Sequence, residues 1–197
     1  VVICIVNFTI RLTFAGILLS TIVLYLKSYN IGVGSFSAVG AGGLLLGLSA
    51  VWSSLSIFVS GNLSDHVENR AIIAVPALVI FAIGFLILGT YNTFNGSLLG
   101  VSLIGIGVGG TNPPLLAFLG DISAKDDIGK IGGVYNTFGD IGSTLGPLAA
   151  IPLAAFIGYQ SEYLFSMLLV ILTLVLVLYH LILHSSNAVM SPISDFD

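Results

Sequence analysis

Apolar residues run along this chain in long blocks separated by short polar or glycine-rich breaks. The blocks fall at about 2–28, 34–60, 70–90, 97–119, 129–156 and 162–184. Each supplies roughly the 20 residues that a helix rising about 1.5 Å per residue needs to cross a hydrocarbon core of about 30 Å. None alternates apolar and polar positions in the way of a membrane barrel strand. In hydrocarbon every backbone N–H and C=O must find its partner within the protein, so blocks of this length predict helices. The pattern therefore predicts an all-α membrane protein, with six transmembrane helices in a unit over residues 1–184. Residues 185–197, which carry Asp195 and Asp197, read as a polar tail in water.

Composition sharpens that picture by exclusion. Charged residues are 7% of the 197 positions, apolar residues 56%, and the mean hydropathy is +1.11, too few charges to surface a water-soluble fold. Little is left for a soluble catalytic domain. The formal charge of -4 and the lack of any basic run exclude nucleic acid as a partner. A single cysteine, Cys4, allows no intrachain disulfide and reads as packing filler. The chain opens at Val1 inside an apolar run with no charged leader, so it reads as truncated and without a signal peptide. Arg70, Lys125 and Lys130 in or beside two connections, against Lys27 on the other side, place both ends in the cytoplasm.

Gly43 and Gly47, Gly105 and Gly109, and Gly142 and Gly146 are spaced by four, which predicts close backbone approach between helices that lipid does not otherwise drive together. Asp140 lies about ten residues, roughly 15 Å, inside its span, where an ionised carboxylate is costly unless paired or hydrated. Proton coupling or cation binding is one reading of such an acid, and a structural ion pair is the other. Arg11 stands at comparable depth and is the expected partner of Asp140, unless it snorkels to the interface. Asn112-Pro113-Pro114 follows a glycine-rich stretch and predicts a broken helix with freed carbonyls, which makes Asn112, Pro113 and Pro114 candidate substrate contacts. His180 and His184 share a helix face but lack a third ligand, so no metal or other cofactor is implied. Asn95-Gly96-Ser97 fits a glycosylation pattern in a short loop.

The stretch from Gly61 to Arg70 resembles the signature loop of the major facilitator superfamily, G-x-L-a-D-r-x-G-r-r. Gly61, Leu63, Asp65 and Arg70 match, while His66, Glu68 and Asn69 depart from it. The resemblance implies a conformational gate in which Asp65 accepts hydrogen bonds at a helix N-terminus and Arg70 pairs with a carboxylate, Asp121 being the candidate. A second stretch, Gly132 to Pro147, is similar to the eleventh helix of the family's drug:proton antiporters and vesicular amine transporters, in the pattern G-x-V-Y, D, G-P. It implies a C-terminal half of a twelve-helix carrier, built as two inverted three-helix repeats. The first, second, fourth and fifth spans then line a cavity that includes Tyr135 and Asn136, and Asp140 takes part in proton coupling.

The implied function is alternating-access transport of a small organic solute, proton-coupled efflux or antiport of a drug-like or amine compound. A uniporter or symporter of another metabolite is the nearest alternative. Its partners are the substrate, protons, the lipid bilayer and an N-terminal six-helix half. A channel lacks its filter or pore ring here, and an enzyme lacks a nucleophile with a base at membrane depth.

Overall fold

The structure, a computed structural model, describes residues 2–31, 37–64, 66–67, 70–122 and 127–189. Nearly all of them are helical: α1 Val2–Ser28, α2 Ala38–Ser64, α3 Ala71–Thr90, α4 Phe94–Ile122, α5 Ile128–Ile157 and α6 Tyr159–Val189. All six are long and apolar enough to cross a membrane, and no strand occurs among the described residues. α5 and α6 are joined by Gly158 alone, whose φ of 83° suits a residue without a β-carbon. α6 continues to Val189, past the boundary at 184 drawn from composition.

α4 is wedged between α2 and α3, α3 packs on α6, and α1 packs on α5 and α6. Exchanging α1, α2, α3 for α4, α5, α6 maps these contacts onto one another: α2 with α4 becomes α5 with α1, and α3 with α4 becomes α6 with α1. Because three crossings reverse the chain's direction, the two triplets are antiparallel, as inverted repeats must be.

Glycine makes the tightest crossings. A β-carbon on Gly105 or Gly109 would run into the Ser49 or Ser53 carbonyl of α2, and one on Gly146 into the backbone of Gly16 on α1. Gly43 and Gly47 differ: nothing lies within 4 Å of a β-carbon there, so their shared face points out of the bundle. Arg11–Leu18 of α1 is wound as a π-helix, and this stretch carries Gly16. The core comprises Leu18 and Ile22 of α1, Phe81, Phe85 and Leu88 of α3, and Ile104 of α4, with Tyr25 and Tyr163 meeting edge to face at 5.3 Å.

The outward faces are not alike. α6 exposes Leu168, Leu172, Val175 and Ile182, as lipid contact requires. α5 exposes Asn136, Asp140 and Thr144 as well as apolar residues, which lipid contact does not favour.

Candidate functional site

Asp140 sits near the middle of α5, twelve residues after Ile128 in a helix of 30. α5 turns Tyr135, Gly139, Gly142, Gly146, Ala150 and Ala154 inward at helical spacing, which leaves the intervening positions outside. Asn136 and Asp140, one turn apart, both lie on that open face. Asp140 lines a groove of about 350 Å³ with Thr137, Ile141, Thr144 and Leu145. Its backbone carbonyl accepts the Ser143 and Thr144 hydroxyls at 3.0 and 2.8 Å, while its carboxylate makes no hydrogen bond or ion pair with any described residue.

Arg11 approaches from α1, at the first residue of the π-helical stretch. A β-carbon on Gly139 would lie 2.6 Å from Asn7 Nδ2 and 3.3 Å from Arg11 Cγ, so the aliphatic stem of Arg11 rests on Gly139. Asn7 Nδ2 donates to the Tyr135 carbonyl at 2.7 Å and fixes this crossing. The direct Arg11–Asp140 pair expected from their depths is corrected here: the two are neighbours across Gly139 and do not pair among the described residues. Gly139 faces α1, and the next residue on a helix points about 100° away. Tyr135 also departs from its expected place in the groove. It turns inward, 3% exposed, and its phenol oxygen has no hydrogen-bond partner.

The helix break expected at Asn112-Pro113-Pro114 does not occur, for α4 runs unbroken from Phe94 to Ile122. Pro113 lacks the N–H that the Gly109 carbonyl would receive in an ordinary helix. Ser60 Oγ of α2 donates to that carbonyl at 3.5 Å, and Ser56 Oγ donates to the Ile106 carbonyl at 2.8 Å. One α2 hydroxyl thus reaches the carbonyl that Pro113 leaves without its helical donor, and another reaches a carbonyl one turn earlier. Asn112 and Pro113 are half-buried and Pro114 is buried. Pro113 lines a second cavity, about 320 Å³, with Ile57, Phe58, Gly61, Asn62, Ser64 and Ala117.

That cavity lies at the end of the bundle that holds the loop motif. Gly61 is in the last turn of α2, with open space where a β-carbon would go. Asp65, with Glu68 and Asn69, lies outside the described residues. Arg70 caps α3, and its Nε is 3.2 Å from Asp121 Oδ2 at the end of α4. His66, where the family has arginine, turns its Nδ1 to the Asn62 carbonyl at 2.8 Å and so closes the end of α2. Of the two histidines in α6, His184 has a side chain outside the described set, and no cluster able to hold a metal occurs among the described residues.

One acid escapes a reading of the sequence. Glu162 falls at the first residue of the apolar block 162–184, where an acid reads as interfacial. The structure starts α6 at Tyr159 and buries Glu162 completely. The signal available was a connection too short to hold the acid outside the bundle.

A family model described as Major Facilitator Superfamily matches residues 3–191. No curated protein matches the sequence. Among solved structures, a mutant of the peptide transporter POT in complex with alafosfalin superposes with a TM-score of 0.77 at 17% identity, over 90% of this chain and 37% of that one. The same mutant in complex with sulfate superposes equally well, over 36% of its length. At this identity the likeness shows the fold. The chain spans little more than a third of either structure.

Proposed function

The chain belongs to the major facilitator superfamily, and from that premise we propose that it forms one half of a secondary carrier that moves a small organic solute by alternating access, coupled to protons. A second six-helix unit completes the cavity by closing on the open faces of α2 and α5. The solute is drug-like or an amine and leaves by efflux or antiport, as the α5 motif from Gly132 to Pro147 implies.

The observation that carries this reading is Asp140: a carboxylate near the middle of a membrane-crossing helix, open on a groove beside Thr137 and Thr144 and bonded to nothing described. An acid facing lipid at that depth costs about 2.5–3.5 kcal/mol on insertion scales. An acid facing a watered cavity can exchange its proton for a cationic solute, and the stem of Arg11 rests on Gly139 beside it. Asn136 and Asn112 supply amide donors and acceptors for the solute. At the other cavity, Arg70 and Asp121 hold α3 and α4 together in this conformation and part in the next.

The test is Asp140→Asn in the full carrier, reconstituted in vesicles with labelled tetraphenylphosphonium as the probe. Uptake driven by a pH gradient is expected to vanish while counterflow of the probe persists. Undiminished pH-driven uptake by the variant overturns the coupling role.

A further inference from the structure

The end of the bundle away from Arg70 holds the one carboxylate buried among the described residues. Glu162, in the first turn of α6, is 0% exposed, and both its carboxyl oxygens lack a hydrogen-bond partner. Its backbone is fully used: the N–H donates to the Gly158 carbonyl at 3.1 Å and the carbonyl accepts from Ser166 at 3.0 Å. Neighbouring polar groups are occupied with one another. Thr21 and Tyr163 share a hydrogen bond of 3.2 Å, and Tyr25 donates to the Tyr91 carbonyl at 3.2 Å.

An ionised carboxylate in this setting has neither counter-charge nor donor, the most costly state for a buried group, whereas the neutral acid leaves only an uncharged hydroxyl and carbonyl unsatisfied. The titratable groups at this end are the phenols of Tyr25 and Tyr29 on α1, Tyr91 after α3, and Tyr159 and Tyr163 on α6, with the exposed ammonium of Lys27. The outer half of α5, residues 141–157, carries none. The positive N-terminal end of α6 favours an anion, but the C-terminal end of α5 lies one residue away with the opposite sign.

We propose that Glu162 is a proton-binding site of the carrier, loaded in this conformation. When the first turn of α6 parts from α1 and α3, water reaches the carboxyl, its O–H bond breaks, and the proton passes to water and leaves a solvated carboxylate. Repacking requires the proton to return. Asp140 opens on the groove and Glu162 is sealed within the bundle, so the two acids meet water in different steps. The inference rests on the carrier reading for its place in transport, but not for its protonation.

Infrared spectroscopy of the full carrier in lipid reads the proton directly. At neutral pH a carboxylic C=O band in the apolar range is expected, shifted by isotopic labelling of glutamate, removed by Glu162→Gln and left by Asp140→Asn. The labelled wild type answers even if the variant does not fold. Absence of a glutamate band in wild type, or its persistence in Glu162→Gln, overturns the proposal. Transport separates it from the Asp140 reading: Glu162→Gln is expected to lose pH-driven uptake of tetraphenylphosphonium and keep counterflow. If Glu162→Gln retains pH-driven uptake, Glu162 is no coupling site, whatever Asp140→Asn does. If Asp140→Asn retains it and Glu162→Gln loses it, the Asp140 reading fails and this one stands.

Discussion

At Gly146 an added β-carbon meets the Gly16 backbone of α1, and at Gly61 it meets nothing within 4 Å. Backbone cannot rotate away as a side chain can, so Gly146→Val forces α1 and α5 apart at their crossing. The expected loss is about 3 kcal/mol, the upper part of the usual range for overpacking, read as a lower unfolding temperature in detergent. Gly61→Leu is expected to leave stability within about 0.5 kcal/mol, as surface changes do, and to slow transport. Normal transport by Gly61→Leu removes Gly61 from the gate. Spacing in the sequence could mark the glycine pairs but not their faces: Gly142 and Gly146 meet α1, while Gly43 and Gly47, spaced identically, meet nothing described. A repeat of four says that two residues share a face. It does not say what stands opposite.

Along whole elements, the apolar blocks locate the helices because length and hydropathy are local properties, and all six helices are present with ends differing by a few residues. What a proline does is not local. Pro113 removes the donor of the Gly109 carbonyl within α4, and Ser60 of α2 answers it, 49 positions away in sequence. A coupling follows that either helix alone would not show. Ser60→Ala should destabilise the protein by about 0.6 kcal/mol, the mean measured for hydrogen bonds between membrane helices. In a Pro113→Ala background, where residue 113 regains its N–H, the same change should cost nothing. Additive effects in this double-mutant cycle would show that the Ser60 contact is incidental to the continuity of α4. Arg70 and Asp121 were easier to match from sequence, since one opens α3 and the other closes α4 at the same end. Their side chains are 31% and 52% exposed, so the pair contributes little stability, about 1 kcal/mol at most. Arg70→Ala is therefore expected to change transport kinetics well beyond any change in unfolding temperature.

At the scale of the whole molecule, the fold was legible and the burial of its acids was not. Asp140 and Glu162 both lie in membrane-crossing helices, yet one faces an open groove and the other is sealed between helices. Burial depends on how six helices dock, which no window of sequence contains. The open side has a consequence for the chain by itself. In a bilayer without the proposed second half, Arg11 and Asp140 face hydrocarbon, at about 2.5–3.5 kcal/mol for each charge. Replacing both with leucine is expected to raise the unfolding temperature of the isolated six-helix chain and to abolish pH-driven uptake by the complete carrier. Opposite signs in the two measurements mark residues kept for function at the expense of local stability. A lower unfolding temperature for the isolated double variant would instead mean that Arg11 and Asp140 support this half from within. The open face of α5 would then be a packing surface, and the substrate path would have to run elsewhere.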